Sequence, residues 1–419
     1  MNQTNDYLFY SKTFKYMSKI KIKNFGPIKE GYLENDGFLD IKKVTVFIGN
    51  QGSGKSTVAK VISTLLWMEK ALNRDDFNGV SSGRIKKLLE YQGVLGYLYR
   101  DTWFDFHGDR YSFQYWNNHP IPQLQKIDDK GYITPKIMYV PAERNTISTI
   151  SNIKGIPDNL LTFYEELRRA NKELKGEKLK LPINNYRYEY NDQTETSYII
   201  GPDYKVDIKN ASSGAQSFTP LYLVTQNLAL LVTQSDEILR KSMKADSILR
   251  MNEEMAALEV NDSISENKKI EKRKEIKAKY FSKCFINIVE EPEQNLYPSS
   301  QQNILNSLLE FNNLSEGNKL IMTTHSPYII SYLSLAIQAD YLKKKIKSKD
   351  LLKKLEKVVP LNSTISADDV VIYQLNEKDG SIKKLPNIEG IPSDKNLLNK
   401  SLAEGNELFD LLLEIEQEL

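Results

Sequence analysis

Val44-Thr45-Val46-Phe47-Ile48-Gly49-Asn50-Gln51-Gly52-Ser53-Gly54-Lys55-Ser56-Thr57 is the stretch that decides the fold. Its centre, Gly49 to Ser56, reads G-x-x-x-x-G-K-S, the phosphate-binding loop pattern. Val44 to Ile48 is short, apolar and β-branched, which predicts a buried strand. Beyond the loop, Val58, Ile62, Leu65 and Leu72 recur at helical spacing and predict a helix to about Leu72. Strand, glycine loop and helix together form the setting in which this motif binds a nucleoside triphosphate. Gly49, Gly52 and Gly54 let the backbone curl, so that the N–H groups from Asn50 to Thr57 can point at phosphate oxygens. The start of the helix adds a favourable potential for the anion. Lys55 is placed to reach the β- and γ-phosphates, and the Ser56 hydroxyl to bind Mg²⁺.

The rest of the composition narrows the class. The chain has 419 residues, of which 40% are apolar and 27% charged, enough for a substantial core. Lys and Arg number 57 against 55 Asp and Glu, a net charge of +2, so no global field attracts nucleic acid. A single cysteine, Cys284, excludes a disulfide framework and a cysteine-based zinc site, which suits a reducing cytosol. It adjoins an apolar strand and reads as a buried core thiol. No apolar run reaches the roughly 18 residues of a membrane span. The N-terminus lacks the apolar core of a signal peptide. A cytoplasmic protein is expected. Met17 is a candidate alternative start, because recognisable structure begins just after it.

Two further stretches can supply the chemistry that a bound triphosphate needs. Phe285-Ile286-Asn287-Ile288-Val289-Glu290-Glu291-Pro292-Glu293 is an apolar strand that delivers carboxylates to its C-terminal end, where ligands of parallel sheets sit. Glu290 is placed to hold Mg²⁺, and Glu291 to act as general base on a water. Thr323-Thr324-His325-Ser326-Pro327 ends the next strand, and His325 there can bond the γ-phosphate or the water. His107 and His119 have no such setting and no partner in view. Asn210-Ala211-Ser212-Ser213-Gly214-Ala215-Gln216-Ser217 precedes a helix near Phe218 to Val232, and reads either as a phosphate site or as a simple N-cap.

Elsewhere the pattern is one of organisation. Ile alternates with Lys from Lys19 to Lys23, a strand with one wet face. Residues 73–135 are irregular and aromatic-rich; the aromatics read as the packed face of a β-rich lobe in preference to a base-stacking platform. Residues 158–177 are helical. Tyr186, Tyr188 and Tyr190 alternate with polar residues and open a small sheet. Residues 236–280 read as a helical hairpin turning near Asn261-Asp262-Ser263. Residues 343–357 carry eight lysines, a solvated helix face or, less favoured, a phosphate-backbone patch. Val370 to Leu375 and Ser381 to Leu385 predict a hairpin, and Leu408, Leu411, Leu412 and Ile415 a terminal helix.

In order along the chain, the phosphate loop, Ser213-Gly214-Ala215-Gln216, Glu290-Glu291-Pro292-Glu293 and Thr324-His325-Ser326-Pro327 resemble the motif set of ABC-type ATPase heads, most closely the SMC, RecF and OLD-like branch. Ile20-Lys21-Ile22-Lys23-Asn24-Phe25-Gly26-Pro27-Ile28 is similar to that branch's first strand. The resemblance covers residues 18–335 in outline. It implies an α/β fold: a P-loop ABC-type ATPase head with a mixed β-lobe, a mostly parallel core sheet and a helical insertion. Residues 1–17 would then be an extension, and 18–235 the first part of the head. Residues 236–280 would be the insertion, 281–340 the second part of the head with the Walker B strand and H-loop, and 341–419 a lysine-rich helix, hairpin and helix. The resemblance also implies that Ser213, Gly214 and Gln216 form the signature motif, which in the family contacts the γ-phosphate of ATP held by a partner subunit. Glu290 stands where an aspartate is usual, Ala215 where glycine is, and Ser212 where leucine is. No Q-loop is identified; Arg144 is a weak candidate contact.

What such a head would do follows by analogy. Standalone heads of this kind resemble the ATPases of bacterial anti-phage systems of the PARIS and Septu type, which control a separate effector nuclease. The expectation is an ATP-hydrolysing homodimer or higher homo-oligomer using ATP and Mg²⁺, with such a nuclease as partner, DNA as a candidate ligand and no membrane. The alternative is a RecF- or SMC-like DNA repair ATPase. A transporter ATPase subunit is disfavoured because residues 217–284 separate the signature from the acidic strand. The region after His325 lacks an Asp-x-Asp pair on a strand, so no fused nuclease is expected.

Overall fold

The computed structural model describes residues 18–77, 79–119, 121–127, 132–148 and 156–417; the expected extension 1–17 lies outside them. A seven-stranded sheet carries the site. Its order runs Gly31–Tyr32, Ser381–Lys384, Val370–Leu375, Val44–Gly49, Lys319–Thr324, Cys284–Glu290, Pro135–Val140. The last five strands are mutually parallel, and Ser381–Lys384 runs antiparallel to its neighbour. We call Val44–Gly49 the loop strand, Cys284–Glu290 the acidic strand and Lys319–Thr324 the histidine strand. All their C-terminal ends fall on one edge.

Period-two alternation sorts the side chains into two cores, one on each face. Val44, Val46, Ile48, Val289, Met322 and Ile372 face one way and pack with helices Ser213–Leu231, Pro298–Asn312 and Pro327–Lys345. Phe47, Ile288, Ile321 and Tyr373 face the other way, onto helix Lys55–Asn73 and the β-lobe. Covered on both faces, the acidic strand is buried at all 7 residues, as parallel strands are.

The lobe is an antiparallel five-stranded sheet that includes Lys19–Phe25, Leu98–His107 and Tyr111–Trp116. Its aromatics pair across strands: Phe104 stacks on Tyr115, and Trp103 on Trp116 at 5.6 Å. Phe104, Phe106, Phe113 and Tyr115 are fully buried. Four short strands between residues 179 and 207 form a second small sheet.

Several expectations change. The stretch from 73 to 135 is less irregular than its composition suggests, because Ser82–Tyr91 forms a helix capped by Ser81. Residues 236–280 form three helices, Asp236–Lys241, Ala245–Glu259 and Glu266–Tyr280; only the last two make the expected hairpin. The predicted C-terminal hairpin forms, but it is part of the core sheet, with Val370–Leu375 paired along the whole loop strand. Its apolar, β-branched residues cannot stay on the surface. His107 does have a partner, with its Nε2 3.2 Å from Asp105 Oδ1. Cys284 is buried, and burial pushes its thiol up to about 12. No helix among the described residues is long and apolar enough to cross a membrane.

Candidate nucleotide site

The loop leaves the sheet where glycine is required. Gly49 has φ 154°, and a Cβ there would lie 2.5 Å from the Leu375 carbonyl oxygen and 2.8 Å from Ser53 Oγ. Gly54 has φ 97° and would push a Cβ to 2.7 Å from Ile28. Both positions are left-handed and closed to side chains. Asn50, Gln51 and Gly52 are exposed, while Ser53, Gly54, Lys55 and Thr57 are buried. Lys55 begins the helix and folds back over the loop. Its Nζ donates to the Gly49 carbonyl at 2.9 Å and to the Asn50 carbonyl at 2.8 Å. Burial pulls this ammonium down to about 8, against the opposing pull of Glu291, Glu293, Glu290 and Glu377.

The acidic strand, one strand away, brings its first carboxylate to the same place. Ser56 Oγ donates to Glu290 Oε2 at 3.0 Å, and the Tyr139 hydroxyl donates to Glu290 Oε1. Burial raises the Glu290 pKa, and the charge of Lys60 with the Ser56 bond opposes it. The chain then turns at Glu291, whose φ of 43° is unusual for a residue with a Cβ. That turn aims Glu291 at the end of the histidine strand, with His325 Nε2 3.3 Å from Glu291 Oε1. The His325 hydrogen bond holds the Glu291 carboxyl below its ordinary range.

Two residues hold this edge together: Glu293, to which sequence reasoning assigned no role, and Arg144, the candidate contact. Glu293 Oε1 accepts from Thr324 Oγ1 and from the His325 backbone N–H, both at 2.7 Å, and so fixes the turn that presents the imidazole. Arg144 is 0% exposed. It donates to the carbonyls of Glu290 and Glu291, both at 2.7 Å, and to those of Ser217 and Pro141, both at 3.2 Å. It is therefore a positioning residue behind the carboxylates. Tyr139 is a third such residue. Alternation along Pro135–Val140 places it, with Ile137, on the loop-helix face, and that signal was available in the sequence.

The signature stretch forms the start of a helix, Ser213–Leu231, with Ser212 Oγ accepting from the Ala215 N–H at 3.3 Å. Ser213 is exposed. A Cβ on Gly214 would lie 2.8 Å from the Asn295 carbonyl oxygen, so glycine lets the helix start approach the loop that follows the acidic strand. Gln216 turns away from solvent: its amide donates to the carbonyls of Ile208, Lys209 and Ala211. Ser217 Oγ donates to Gln294 Oε1 at 3.3 Å. Among the described residues no hydrogen bond or ion pair joins Ser213, Gly214 or Gln216 to the loop.

The arrangement fits a magnesium-bound triphosphate. Ser53 Oγ is buried in the loop without a hydrogen-bond partner. Lys55 donates to loop carbonyls that an anion would replace. No cluster of three or more His, Cys, Asp or Glu side chains fit to hold a metal exists among the described residues. Ser56 and Glu290 are instead the kind of sparse ligand set that Mg²⁺ uses when phosphates complete its shell.

Residues 286–331, the acidic strand through Thr-His-Ser-Pro, match the family model described as "AAA domain, putative AbiEii toxin, Type IV TA system". No curated protein matches the chain in sequence. Among solved structures, the chain is similar to an SMC head bound to the C-winged helix domain of ScpA. That match has 13% identity, covers 88% of this chain and 96% of the other, and has a TM-score of 0.40. An SMC head from Thermotoga maritima matches at 10% identity over 89% and 99%, with a TM-score of 0.38. A dimeric bacterial ABC transporter cassette matches at 12% over 89% and 100%, with a TM-score of 0.24. The chain has an α/β fold in which a G-x-x-x-x-G-K-S loop joins a buried strand of the parallel sheet to a helix.

Proposed function

We propose that the chain is an ATP-binding and ATP-hydrolysing switch that closes on a second copy of itself. The observation that carries this reading is the Glu291–His325 contact at 3.3 Å, at the same sheet edge as the Ser56–Glu290 contact. Ser53, Lys55 and the loop N–H groups bind the phosphates, and Ser56 with Glu290 holds Mg²⁺, which supplies charge neutralisation on the phosphate oxygens. Glu291, kept ionised by His325, accepts the proton of the attacking water. His325, oriented by its own backbone bond to Glu293, holds that carboxylate and water in place.

Exposed Ser213 and half-buried Gly214 are the surface by which a partner copy completes the site. They present a helix start to solvent and bond to nothing in their own loop, which suits an anion held by another subunit. Gln216 is committed to its own preceding turn and is not part of that surface in this state.

The biological reading is a regulatory ATPase of an anti-phage system acting on a separate nuclease. It rests on the motif resemblance and on the toxin–antitoxin description of the matching family model. The test is the size of the Glu291→Gln variant with ATP and Mg²⁺. An increase in size over the same variant without nucleotide is expected, and a size that ATP leaves unchanged refutes the switch. The defence role is checked by phage challenge of cells carrying the gene with its neighbours, with and without Lys55→Ala.

A further inference from the structure

The terminal helix Leu397–Gln417 is anchored only by its first turn, where Leu398 packs on the core. Every residue from Ser401 to Gln417 whose side chain is described is exposed. Leu408 is 64% exposed, Leu412 61% and Phe409 60%. Leu408, Leu411, Leu412 and Ile415 recur at one-face helical spacing, so the exposure is a continuous apolar stripe. Such a stripe on a soluble protein marks a contact surface. Glu404, Glu407, Asp410, Glu414 and Glu416 border it, with no cation between residues 404 and 416. Two copies of so acidic a helix repel each other, which argues against pairing with itself.

The same chain carries a surface of the opposite character. Helix Lys349–Glu356 exposes Leu351 at 50%, Val358 just beyond it is exposed at 59%, and exposed Lys353, Lys354 and Lys357 surround them. The two surfaces lie at opposite edges of the core sheet. The terminal helix is rooted at the C-terminal edge, where the Leu397 N–H bonds Gln374 Oε1 beside the loop strand. The lysine helix lies at the N-terminal edge. Helix Pro327–Lys345 runs back about 28 Å from the histidine strand to reach it, and Lys42 Nζ donates to Asp368 O at 2.7 Å just before the strand that starts at Val370. In this structure the two surfaces of one chain do not meet, and both stay exposed.

We propose that the acidic apolar face of the terminal helix docks on the lysine-fringed Leu351–Val358 surface of a second copy, independently of ATP. Apolar stripe meets apolar patch, and carboxylates meet ammonium groups of the same interface. The two sides of this contact differ, so it is heterologous and adds copies head to tail into a ring or a filament. It goes beyond closure at the nucleotide site and uses none of that site's residues.

The test uses the full chain carrying Lys55→Ala without nucleotide, so that bridging by ATP plays no part. Sedimentation velocity across a concentration series is expected to show species larger than a dimer, shrinking as salt rises. Phe409→Ser with Leu412→Ser is expected to leave a monomer, as is Lys353→Glu with Lys354→Glu; all four side chains are exposed, and an unchanged thermal melt confirms folding. Combining Lys353→Glu and Lys354→Glu with Glu407→Lys and Glu414→Lys is expected to restore assembly. A chain that is monomeric at every concentration overturns the proposal. So does assembly that survives the lysine reversals, or a capture of duplex DNA by the lysine surface with no self-association.

Discussion

The acidic edge and the signature helix meet across one buried arginine, yet they differ in completeness. At the acidic edge the contacts close on themselves: Ser56 to Glu290, Glu291 to His325, Glu293 to the Thr324 and His325 turn. At the signature helix, Ser213 is exposed, and among the described residues it bonds to no residue of the glycine loop. Strand ends in a parallel sheet are rigid and adjacent, so chemistry placed there is assembled by folding alone. A helix start on the surface keeps its N–H groups for something brought to it. The contrast supports a site of which one chain builds the catalytic half and offers the other half outward.

Four changes break or sharpen that contrast. Glu291→Gln removes the proposed base at the closed edge, and turnover should fall by about 10²–10⁴ with ATP binding retained. Normal steady-state hydrolysis by this variant rules out the base assignment. Arg144→Met strips the donor shared by both regions and removes its bonds to the carbonyls of Glu290, Glu291 and Ser217. A loss of about 3 kcal/mol in denaturant unfolding is expected, and an unchanged midpoint shows that the arginine does not tie the two together. Lys55→Ala should weaken ATP binding on the order of 100-fold, by loss of charge-assisted contacts; calorimetry showing unchanged affinity removes the loop from the site. Ser213→Arg should leave ATP affinity of the single chain within about twofold while abolishing the ATP-induced dimer, and wild-type turnover in that variant means the outward half is not used.

A smaller effect concerns how the loop helix is held to the lobe. Glu69, on that helix, accepts the backbone N–H groups of Arg110 at 2.7 Å and Tyr111 at 3.1 Å. Burial raises its carboxyl to about 7. A raised carboxylate favours the folded state when protonated, so this contribution is full below the ordinary carboxylate range and lost as pH rises through about 7. Glu69→Gln should flatten the corresponding fall in melting temperature between pH 5 and 8; an identical slope in both proteins refutes it.

Much of this was legible before any fold was known. Local rules sufficed for the loop, because strand, glycines and helix are consecutive. Glu290, Glu291 and His325 were legible because each ends an apolar run, and strand ends of a parallel sheet share an edge. The roles of Arg144 and Glu293 were not, since each acts on groups far along the chain; for Tyr139 alternation gave the face but not its bond to Glu290. Nor was the place of Val370–Leu375: an apolar hairpin at the end of a sequence does not announce which strand it will join.

By itself the sequence determined the glycine loop between strand and helix, the carboxylate pair at a strand end and the class of sheet that carries them, since periodicity and glycine content act over a few neighbouring residues. Tertiary structure alone decided that Ser56 meets Glu290 across a sequence separation of 234 and that His325 faces Glu291. It also put Gln216 into its own turn and the two oppositely charged surfaces at opposite edges of the sheet. Those outcomes depend on strand order and register, which are set by burying both faces of the sheet at once and cannot be read from any single segment.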